Sequence, residues 1–279
     1  MRPTEYASGM STVAAIQMTS GAEVEANLEQ ARTLLEAAAG RGAQLAVLPE
    51  NFAFMGRTDA DRRRVSEPDG AGPIQAFLAA CARQLGLWIV GGTVPLSGAA
   101  DGRVAPACLV YDADGERRAR YDKIHLFDVQ LPDRAESYRE SAHFAPGSAP
   151  VVLETPVGRL GLSVCYDVRF PVLYRTLSAR GAQLFAVPAA FTATTGQAHW
   201  EVLLRARAIE NLCAVIAAGQ AGRHANGRET HGDSLVTDHW GRVLARQAQG
   251  PGVVTADIDL AAEQRDREHF PVLAHRVLG

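Results

Sequence analysis

The sequence is poor in cysteine and has no recognisable metal-binding motif. Its eight histidines show no H-x-H or H-E-x-x-H spacing, and we expect His224, His231 and His239, which lie in a turn-rich region, to be solvated. The cysteines form no C-x-x-C pair, which argues against both a disulfide framework and a zinc cluster. There are four in 279 residues: Cys81, Cys108, Cys165 and Cys213. We therefore expect no metal site.

The sequence also lacks an excess of charge and any long apolar run. Its formal net charge of −3 suggests neither a nucleic-acid nor an anionic-membrane partner. No apolar run reaches the roughly 18–20 residues that a membrane span needs. The first ten residues, MRPTEYASGM, contain no hydrophobic signal core. We expect a cytoplasmic globular protein in which residues 1–10 form a disordered extension and residues 11–279 form a single domain.

One sequence segment, called the repeated phrase below, occurs twice in the chain in nearly the same form. GAQLAVLPENF at 42–52 returns as GAQLFAVPAAF at 181–191, with Ala189 where the first copy has Glu50. Each copy follows an amphipathic helix pattern, and each helix follows an apolar strand, at 12–18 and at 160–166. This order of elements is a βαβ unit, present in both halves.

The similarity between the halves continues beyond the phrase. Each half next has a helix, a strand and a hairpin, and the two hairpins match at one offset of 126 residues, with Asp112 equivalent to Asp238 and Gly115 to Gly241. The patterns predict these elements at 73–86, 87–96 and 109–120, and again at 198–211, 212–222 and 235–246.

Two α/β halves with helices on one face must bury their uncovered sheet faces. Packing those faces together gives a four-layer α-β-β-α sandwich of two pseudo-symmetric halves, the α/β fold that we predict. A single doubly wound sheet is the alternative. The segment 121–150 has no counterpart after the second hairpin, and extra irregular chain in a compact repeat is often functional.

Two reactive side chains, Glu50 and Cys165, lie where strands are expected to end, and a third, Lys123, lies at the start of the unpaired segment 121–150. Sites in α/β proteins form at such carboxyl ends. Cys165 is either a small buried hydrophobe or a nucleophile facing a helix N-terminus, which would favour the thiolate. Glu50 and Lys123 could each be solvated surface charges, yet Ala189 in the second copy indicates that the fold does not need an acid at the position of Glu50.

The order of these residues resembles that of the nitrilase, or carbon–nitrogen hydrolase, superfamily. The matching stretches are LPENF, YDKIHLFDV and GLSVCYDVRFP, and the resemblance extends from about Ser11 to the end of the chain. It implies the α-β-β-α sandwich, a Glu50–Lys123–Cys165 triad, and a second glutamate at Glu140 in YRESAHFAPG. It also implies that no metal or cofactor is required.

The resemblance implies hydrolysis of a non-peptide C–N bond, most simply of a primary amide, to an acid and ammonia through a cysteine thioester. Residues 191–224 resemble the branch that cleaves the amide of a glutamine-like α-keto acid unit. Within this branch the resemblance favours deaminated glutathione as the substrate, and α-ketoglutaramate is the alternative. Hydrolysis of N-carbamoyl amino acids, a non-catalytic binding module and a redox-sensing thiol are the competing hypotheses.

An anionic substrate needs a basic or hydroxyl-bearing recess, for which the candidates are Arg169, Thr194 and Thr195. Arg169 could instead pair with an internal acid such as Asp167, and the threonines could cap a helix. The other candidate substrate-binding residues are Tyr121, Tyr166 and Phe191, although the aromatic rings could be plain core. The resemblance finally implies a homodimer or larger homo-oligomer, with residues 170–181 in the interface.

Overall fold

The repeated βαβ pattern folds into two β-sheets that lie face to face. The computed structural model describes residues 10–99, 101–131 and 136–277. The first half contains β1 (Ser11–Gln17), α1 (Val24–Gly40), β2 (Leu45–Val47), α2 (Pro73–Leu85), β3 (Trp88–Val90), β4 (Val94–Leu96), β5 (Ala105–Tyr111) and β6 (Arg117–Asp122). Two short paired strands, β7 (Asp128–Leu131) and β8 (Glu136–Arg139), separate the halves.

The second half repeats the arrangement. It contains β9 (Val152–Thr155), β10 (Gly158–Leu162), α3 (Pro171–Ala179), β11 (Leu184–Ala189), α4 (Ala193–Asn211), β12 (Ala214–Gly219), β13 (Ala221–Arg223), β14 (Glu229–His231), β15 (Ser234–Thr237) and β16 (Val243–Gln247). The chain then adds β17 (Gly252–Ile258) and α5 (Leu260–His269).

Both sheets have a parallel centre. One has the order β17-β1-β2-β3-β5-β4 with β6 beside β5, and the other has the order β16-β15-β12-β11-β10-β9. Strands β1, β2 and β3 run parallel, as do β10, β11 and β12. This is the topology that two βαβ units require, because parallel neighbours need a crossover that a helix provides.

Alternation along β1 shows how the layers are stacked. Val13 and Ala15 belong to the apolar core that contains the strands of the other sheet, whereas Ala14 and Ile16 pack with residues of α1 and α2. Since successive side chains of a strand point to opposite faces, β1 separates a sheet–sheet core from a sheet–helix core. The predicted α-β-β-α sandwich is confirmed, and the alternative of one doubly wound sheet is wrong.

The two hairpins match in detail as well as in sequence. Each begins its turn with an aspartate whose Oδ1 accepts two backbone N–H groups, at positions +2 and +4. The ladder register also shifts at equivalent places, between Val110 and Tyr111 and between Val236 and Thr237. The offset of 126 residues is therefore a structural equivalence between the halves.

The strand predicted over 87–96 is wrong, because the chain turns sharply inside it. Gly92 has a positive φ of 52°, and a Cβ there would lie 2.1 Å from the carbonyl oxygen of Pro49. Only glycine allows that approach, so the segment divides into β3 and β4. The strand predicted over 212–222 likewise divides into β12 and β13.

Other local predictions need correction. Helix α4 begins at Ala193, five residues before the predicted start, and Thr192 caps it. His224 and His239 are buried and hydrogen-bonded rather than solvated. No helix in the described part of the chain is long and apolar enough to cross a bilayer. Of the predicted N-terminal extension, residues 1–9 lie outside the described residues, while Met10 is exposed.

Candidate active site

Three strand ends bring Glu50, Lys123 and Cys165 together. Glu50 lies three residues after β2, Lys123 directly follows β6, and Cys165 lies three residues after β10. Lys123 Nζ is 2.8 Å from Glu50 Oε1, and the Cys165 thiol lies beside the same carboxylate. All three side chains are buried, so their charges interact with little screening by solvent.

Glu140 completes the cluster from the segment that has no counterpart in the other half. Its oxygens lie 3.0 and 2.9 Å from Lys123 Nζ, and the Phe127 N–H donates to Oε2 at 2.6 Å. The Lys123 ammonium is therefore held between two carboxylates, in agreement with the expectation that extra irregular chain contributes to the site.

The second copy of the repeated phrase contributes to the same cluster. The backbone N–H of Ala190, one residue beyond the end of β11, donates to Glu50 Oε2 at 2.9 Å. Glu50 thus accepts a hydrogen bond from Lys123 on one oxygen and from the other half of the molecule on the second. Its carboxylate is fixed in position from both halves.

The charge states follow from burial and from these contacts. Burial opposes ionisation of Glu50, but Lys123, its nearest cation, holds the pKa of that carboxyl below its usual range. Burial would lower the pKa of Lys123, yet the carboxylates of Glu140 and Glu50 raise it. The resting site is accordingly a carboxylate, an ammonium ion and a second carboxylate around a thiol.

The sequence-based expectation of a stabilised thiolate is wrong. Burial, reinforced by the negative charge of Glu50, raises the pKa of the Cys165 thiol, and Lys123 opposes this only in part. The helix that begins at Cys165 is a single 3₁₀ turn ending at Arg169, and the longer helix α3 begins only at Pro171. The burial and charges around Cys165 therefore favour the neutral thiol, and the carboxylate of Glu50 lies beside it.

A buried aspartate holds the turn that carries the cysteine. Cys165 has a positive φ of 48°, an uncommon conformation for a residue with a side chain. Asp167, with no exposed surface, accepts from the Val164 N–H at 2.8 Å and from the Tyr121 hydroxyl at 2.6 Å. Its other oxygen is 3.0 Å from the backbone nitrogen of His125 and 2.7 Å from its Nδ1. Asp167 thereby connects the cysteine turn to the segment that carries Lys123.

The cluster forms part of the wall of a concave pocket. Aromatic and cationic side chains dominate the rest of the lining, which consists of Asn51, Arg62, Phe127, Tyr138, Tyr166, Arg169, Ala190, Phe191, Thr192, Thr195 and Arg228. The cavity therefore suits a small ligand that carries negative charge.

The structure brings four of the six candidate substrate-binding residues to this cavity, namely Tyr166, Arg169, Phe191 and Thr195. In the described part of the structure, Tyr121 and Thr194 are not among its lining residues. Tyr121 is fully buried core, where its hydroxyl bonds Asp167. The helix-cap alternative holds for neither predicted threonine, because Thr192 is the N-cap and accepts from the Thr195 N–H at 3.3 Å.

Arg169 does not form the internal ion pair that was its alternative role. Asp167 is engaged elsewhere, and the described residues supply no carboxylate partner for Arg169. Its guanidinium instead lies 3.2 Å from His199 Nδ1 and stacks over the rings of Phe191 and Tyr166, at 5.0 and 5.9 Å from their centroids. The Arg169 cation is therefore available to a ligand in the cavity.

Sequence reasoning missed two cationic residues of the lining. Arg62 belongs to a run of three arginines on a 3₁₀ turn, a pattern that normally indicates a solvated surface. Arg228 lies in the turn before β14. A turn has no hydrophobic periodicity from which the direction of a side chain could be predicted. The remaining unpredicted lining residues, Asn51, Phe127, Tyr138 and Thr192, also follow strand ends or irregular segments.

Comparisons with known proteins agree with this geometry. The carbon–nitrogen hydrolase family model matches residues 12–268. A deaminated glutathione amidase of Yersinia enterocolitica is 42% identical over 94% of this chain and 92% of its own. The human deaminated glutathione amidase is 40% identical over 95% of this chain and 81% of its own. The crystal structure of the Caenorhabditis elegans NitFhit protein, 38% identical, superposes with a TM-score of 0.90 over 97% of this chain and 66% of that one.

Proposed function

The chain belongs to the carbon–nitrogen hydrolase family, and on that premise we propose that it is a cysteine-dependent amidase whose substrate is deaminated glutathione. The observation that carries the proposal is the buried cluster of Glu50, Lys123, Glu140 and Cys165 at a cavity lined by arginines. The substrate is taken from the names of relatives that are 40–43% identical to this chain over 94–95% of its length.

The first half of the reaction forms a thioester. Glu50 takes the proton of the Cys165 thiol as sulfur attacks the amide carbonyl carbon. Lys123 and the backbone N–H of Tyr166 stabilise the oxyanion. Glu50 then gives the proton to the amide nitrogen, the C–N bond breaks, the amine departs, and the acyl group remains on sulfur.

The second half of the reaction regenerates the thiol. Glu50 removes a proton from water, whose oxygen attacks the thioester carbon. The C–S bond breaks, the carboxylic acid leaves, and the proton held by Glu50 returns to the Cys165 sulfur. One water is consumed, and the chain ends in its starting protonation state.

The lowered pKa of Glu50 and the raised pKa of Cys165 suit this order of events. A free thiolate next to the Glu50 carboxylate would place two negative charges side by side in a buried site, which is costly. Proton transfer is therefore expected to accompany the attack of sulfur on the carbonyl. Glu140 acts as a positioning residue, because it holds the ammonium of Lys123 toward the reacting carbon.

The chemistry of deaminated glutathione changes one expectation from the sequence. In this compound a keto group replaces the α-amino group of the γ-glutamyl unit, and both of its amide bonds are secondary. Ammonia, expected for a primary amide, therefore cannot be its product. Cleavage of the bond next to the keto acid unit releases 2-oxoglutarate and cysteinylglycine, and an assay must detect one of these. Ammonia would be released from α-ketoglutaramate, the alternative substrate.

The substrate's keto acid carboxylate is assigned to Arg169 and Thr195. Arg169 lies on the same 3₁₀ turn as Cys165 and has no acidic partner among the described residues, and the Thr195 side chain lines the same cavity. A guanidinium can bind a carboxylate through two parallel hydrogen bonds. This assignment fits the acyl half of either substrate, because both carry the same α-keto acid.

The proposal is tested with Cys165→Ala and Cys81→Ala. Both replace a buried thiol, but Cys81 lies in α2, within the helix-side core of the first sheet. We expect Cys165→Ala to lose at least ~10³-fold in kcat, whereas Cys81→Ala keeps wild-type kcat. Release of 2-oxoglutarate and cysteinylglycine from deaminated glutathione is measured, with α-ketoglutaramate and N-carbamoyl amino acids as comparison substrates. The proposal would be overturned if Cys165→Ala kept full activity. It would also be overturned if the wild-type enzyme hydrolysed only the N-carbamoyl compounds and neither keto acid amide.

We also propose that the protein acts in the cytoplasm as a homodimer or larger homo-oligomer. Support for self-association comes from two exposed apolar side chains, Val172 on α3 and Val202 on α4, which are 71% and 67% exposed. Sedimentation velocity measures the assembly, and a monomer at micromolar concentration contradicts it. A tagged chain found outside the cytoplasm after cell fractionation contradicts the location.

A further inference from the structure

Three arginines line the cavity, but one keto acid carboxylate needs only one of them. Arg62, Arg169 and Arg228 come from separate segments of the chain. Deaminated glutathione carries a second carboxylate, at the end of its cysteinylglycine half. The cation that binds it would decide whether the site prefers this substrate over a primary amide.

Arg228 is held in place without an acidic partner. Its Nη2 donates to the carbonyl oxygen of Ala190 at 2.7 Å, and its guanidinium lies 5.0 Å from the centroid of the Tyr138 ring. The described residues supply no carboxylate for it, and its Nε is buried without a hydrogen-bond partner. A half-buried cation fixed in this way keeps donor capacity for an anionic ligand.

The contacts of Ala190 indicate on which side of the reacting carbon Arg228 lies. Ala190 donates its N–H to Glu50 and accepts from Arg228 on its carbonyl oxygen, so the two side chains are joined through one residue. Arg228 is also among the cations whose charge lowers the pKa of Glu50. Arg169, by contrast, lies on the turn that begins at Cys165.

The reaction itself orients the substrate between these groups. Sulfur comes from Cys165, the oxyanion faces Lys123, and the leaving nitrogen must reach Glu50 to be protonated. The leaving half therefore extends on the Glu50 side, toward Arg228. Two residues in extended conformation span about 7 Å, and Arg228 is connected to Glu50 through the backbone of a single residue, Ala190.

We propose that Arg228, together with the Tyr138 ring on which it lies, binds the carboxylate of the leaving half and selects amides of anionic amines such as cysteinylglycine. The inference rests on the proposed amidase function and specifies its substrate class. Arg169 then binds the acyl half, which is the same in both keto acid amides. Arg228 binds only the leaving half, which differs between them.

The experiment compares Arg228→Gln with Arg169→Gln on two substrates. Deaminated glutathione has the anionic leaving half, and α-ketoglutaramate has ammonia in its place. We expect Arg228→Gln to lower the ratio of kcat/KM for deaminated glutathione over α-ketoglutaramate by about 10- to 100-fold, the loss of a charged hydrogen bond. Arg169→Gln lowers both values and leaves their ratio close to that of the wild type. If Arg228 acts only through Glu50, its loss changes kcat/KM for both substrates by the same factor, and this factor cancels in the ratio.

A measurement on the wild-type enzyme makes the test independent of how the variants fold. Deaminated glutathione in which the terminal carboxylate is converted to the carboxamide should lose about 10-fold or more in kcat/KM. Arg228→Lys, which keeps the charge, should retain part of the preference. An unchanged ratio in Arg228→Gln, or equal turnover of the carboxylate and the carboxamide, overturns the inference. Failure of the wild type to cleave either keto acid amide would instead overturn the proposed function.

Discussion

Asp167→Asn tests whether the cysteine turn is held by a single buried carboxylate. The aspartate is completely buried and accepts from three residues on two segments: Val164 in the cysteine turn, and Tyr121 and His125 on either side of Lys123. An asparagine side chain has the same shape, and its oxygen can still face His125. Its amide nitrogen then replaces the oxygen that faced the Val164 N–H and the Tyr121 hydroxyl. The Tyr121 oxygen can accept from this nitrogen, but the Val164 N–H loses its acceptor.

The magnitude follows from these contacts. An unsatisfied buried N–H costs about 1–3 kcal/mol, and each hydrogen bond to a charged group contributes about 1.5–3 kcal/mol. Since part of the network survives, we expect a total loss of about 3–5 kcal/mol in the free energy of unfolding. A typical domain has only about 5–15 kcal/mol in all, so the variant should remain folded but much weakened. Its kcat should fall more than its KM rises, because the substrate-binding side chains are untouched.

Urea unfolding and steady-state kinetics check this prediction together. The control is Asp238→Asn. A single side-chain oxygen of Asp238 accepts both of its hydrogen bonds from backbone N–H groups, and asparagine keeps that oxygen. The control should lose less than about 1 kcal/mol. If Asp167→Asn unfolds with a free energy within about 1 kcal/mol of the wild type and keeps its kcat, the carboxylate does not hold the turn.

Two further predictions concern pH. The proposed mechanism needs Glu50 ionised and Cys165 protonated, and the pKa of Glu50 is lowered while that of Cys165 is raised. We therefore expect kcat/KM to be flat from about pH 5 to 8. A bell-shaped profile that falls on both sides of neutrality within this range would contradict the assignment. Burial, only partly offset by Arg267, raises the pKa of Glu263 to about 8, so its contribution to stability is complete below pH ~4.5 and is lost as the pH rises through 8. The Glu263→Gln variant should therefore be more stable than the wild type, and the difference in their free energies of unfolding should grow with pH to about 4 kcal/mol at pH 9. Urea titrations at pH 5, 7 and 9 measure this difference. A difference that does not change with pH would refute the reasoning.

The sequence was sufficient to predict the architecture because the repeat constrains long-range packing. A βαβ unit written twice implies two sheets with parallel centres, and the hairpin offset predicts even the equivalent turns at Asp112 and Asp238. The strand break at Gly92 escaped prediction because its cause, the approach of the Pro49 carbonyl, comes from a distant segment.

The chemistry of the site was predictable only in part, for a related reason. The motifs around Glu50, Lys123 and Cys165 identify the side chains that the structure brings together, but their protonation depends on burial and on the neighbouring charges. The expected thiolate was wrong because burial and the carboxylate of Glu50 raise the pKa of the Cys165 thiol, and the 3₁₀ helix at Cys165 is too short to offset them. Arg228 escaped notice because its direction is set by tertiary contacts with Ala190 and Tyr138.

The repeated phrase shows why a symmetric fold requires an asymmetric sequence here. Both copies end their strands at the same cleft, so the end of β11 lies close enough for the Ala190 N–H to donate to Glu50. A second acid at Ala189, which has no exposed surface, would bring another carboxylate into the same buried region. Like charges there would raise the pKa of one partner and oppose the ionised form that the base needs. The first copy therefore supplies the acid, and the second supplies a backbone donor that the acid accepts.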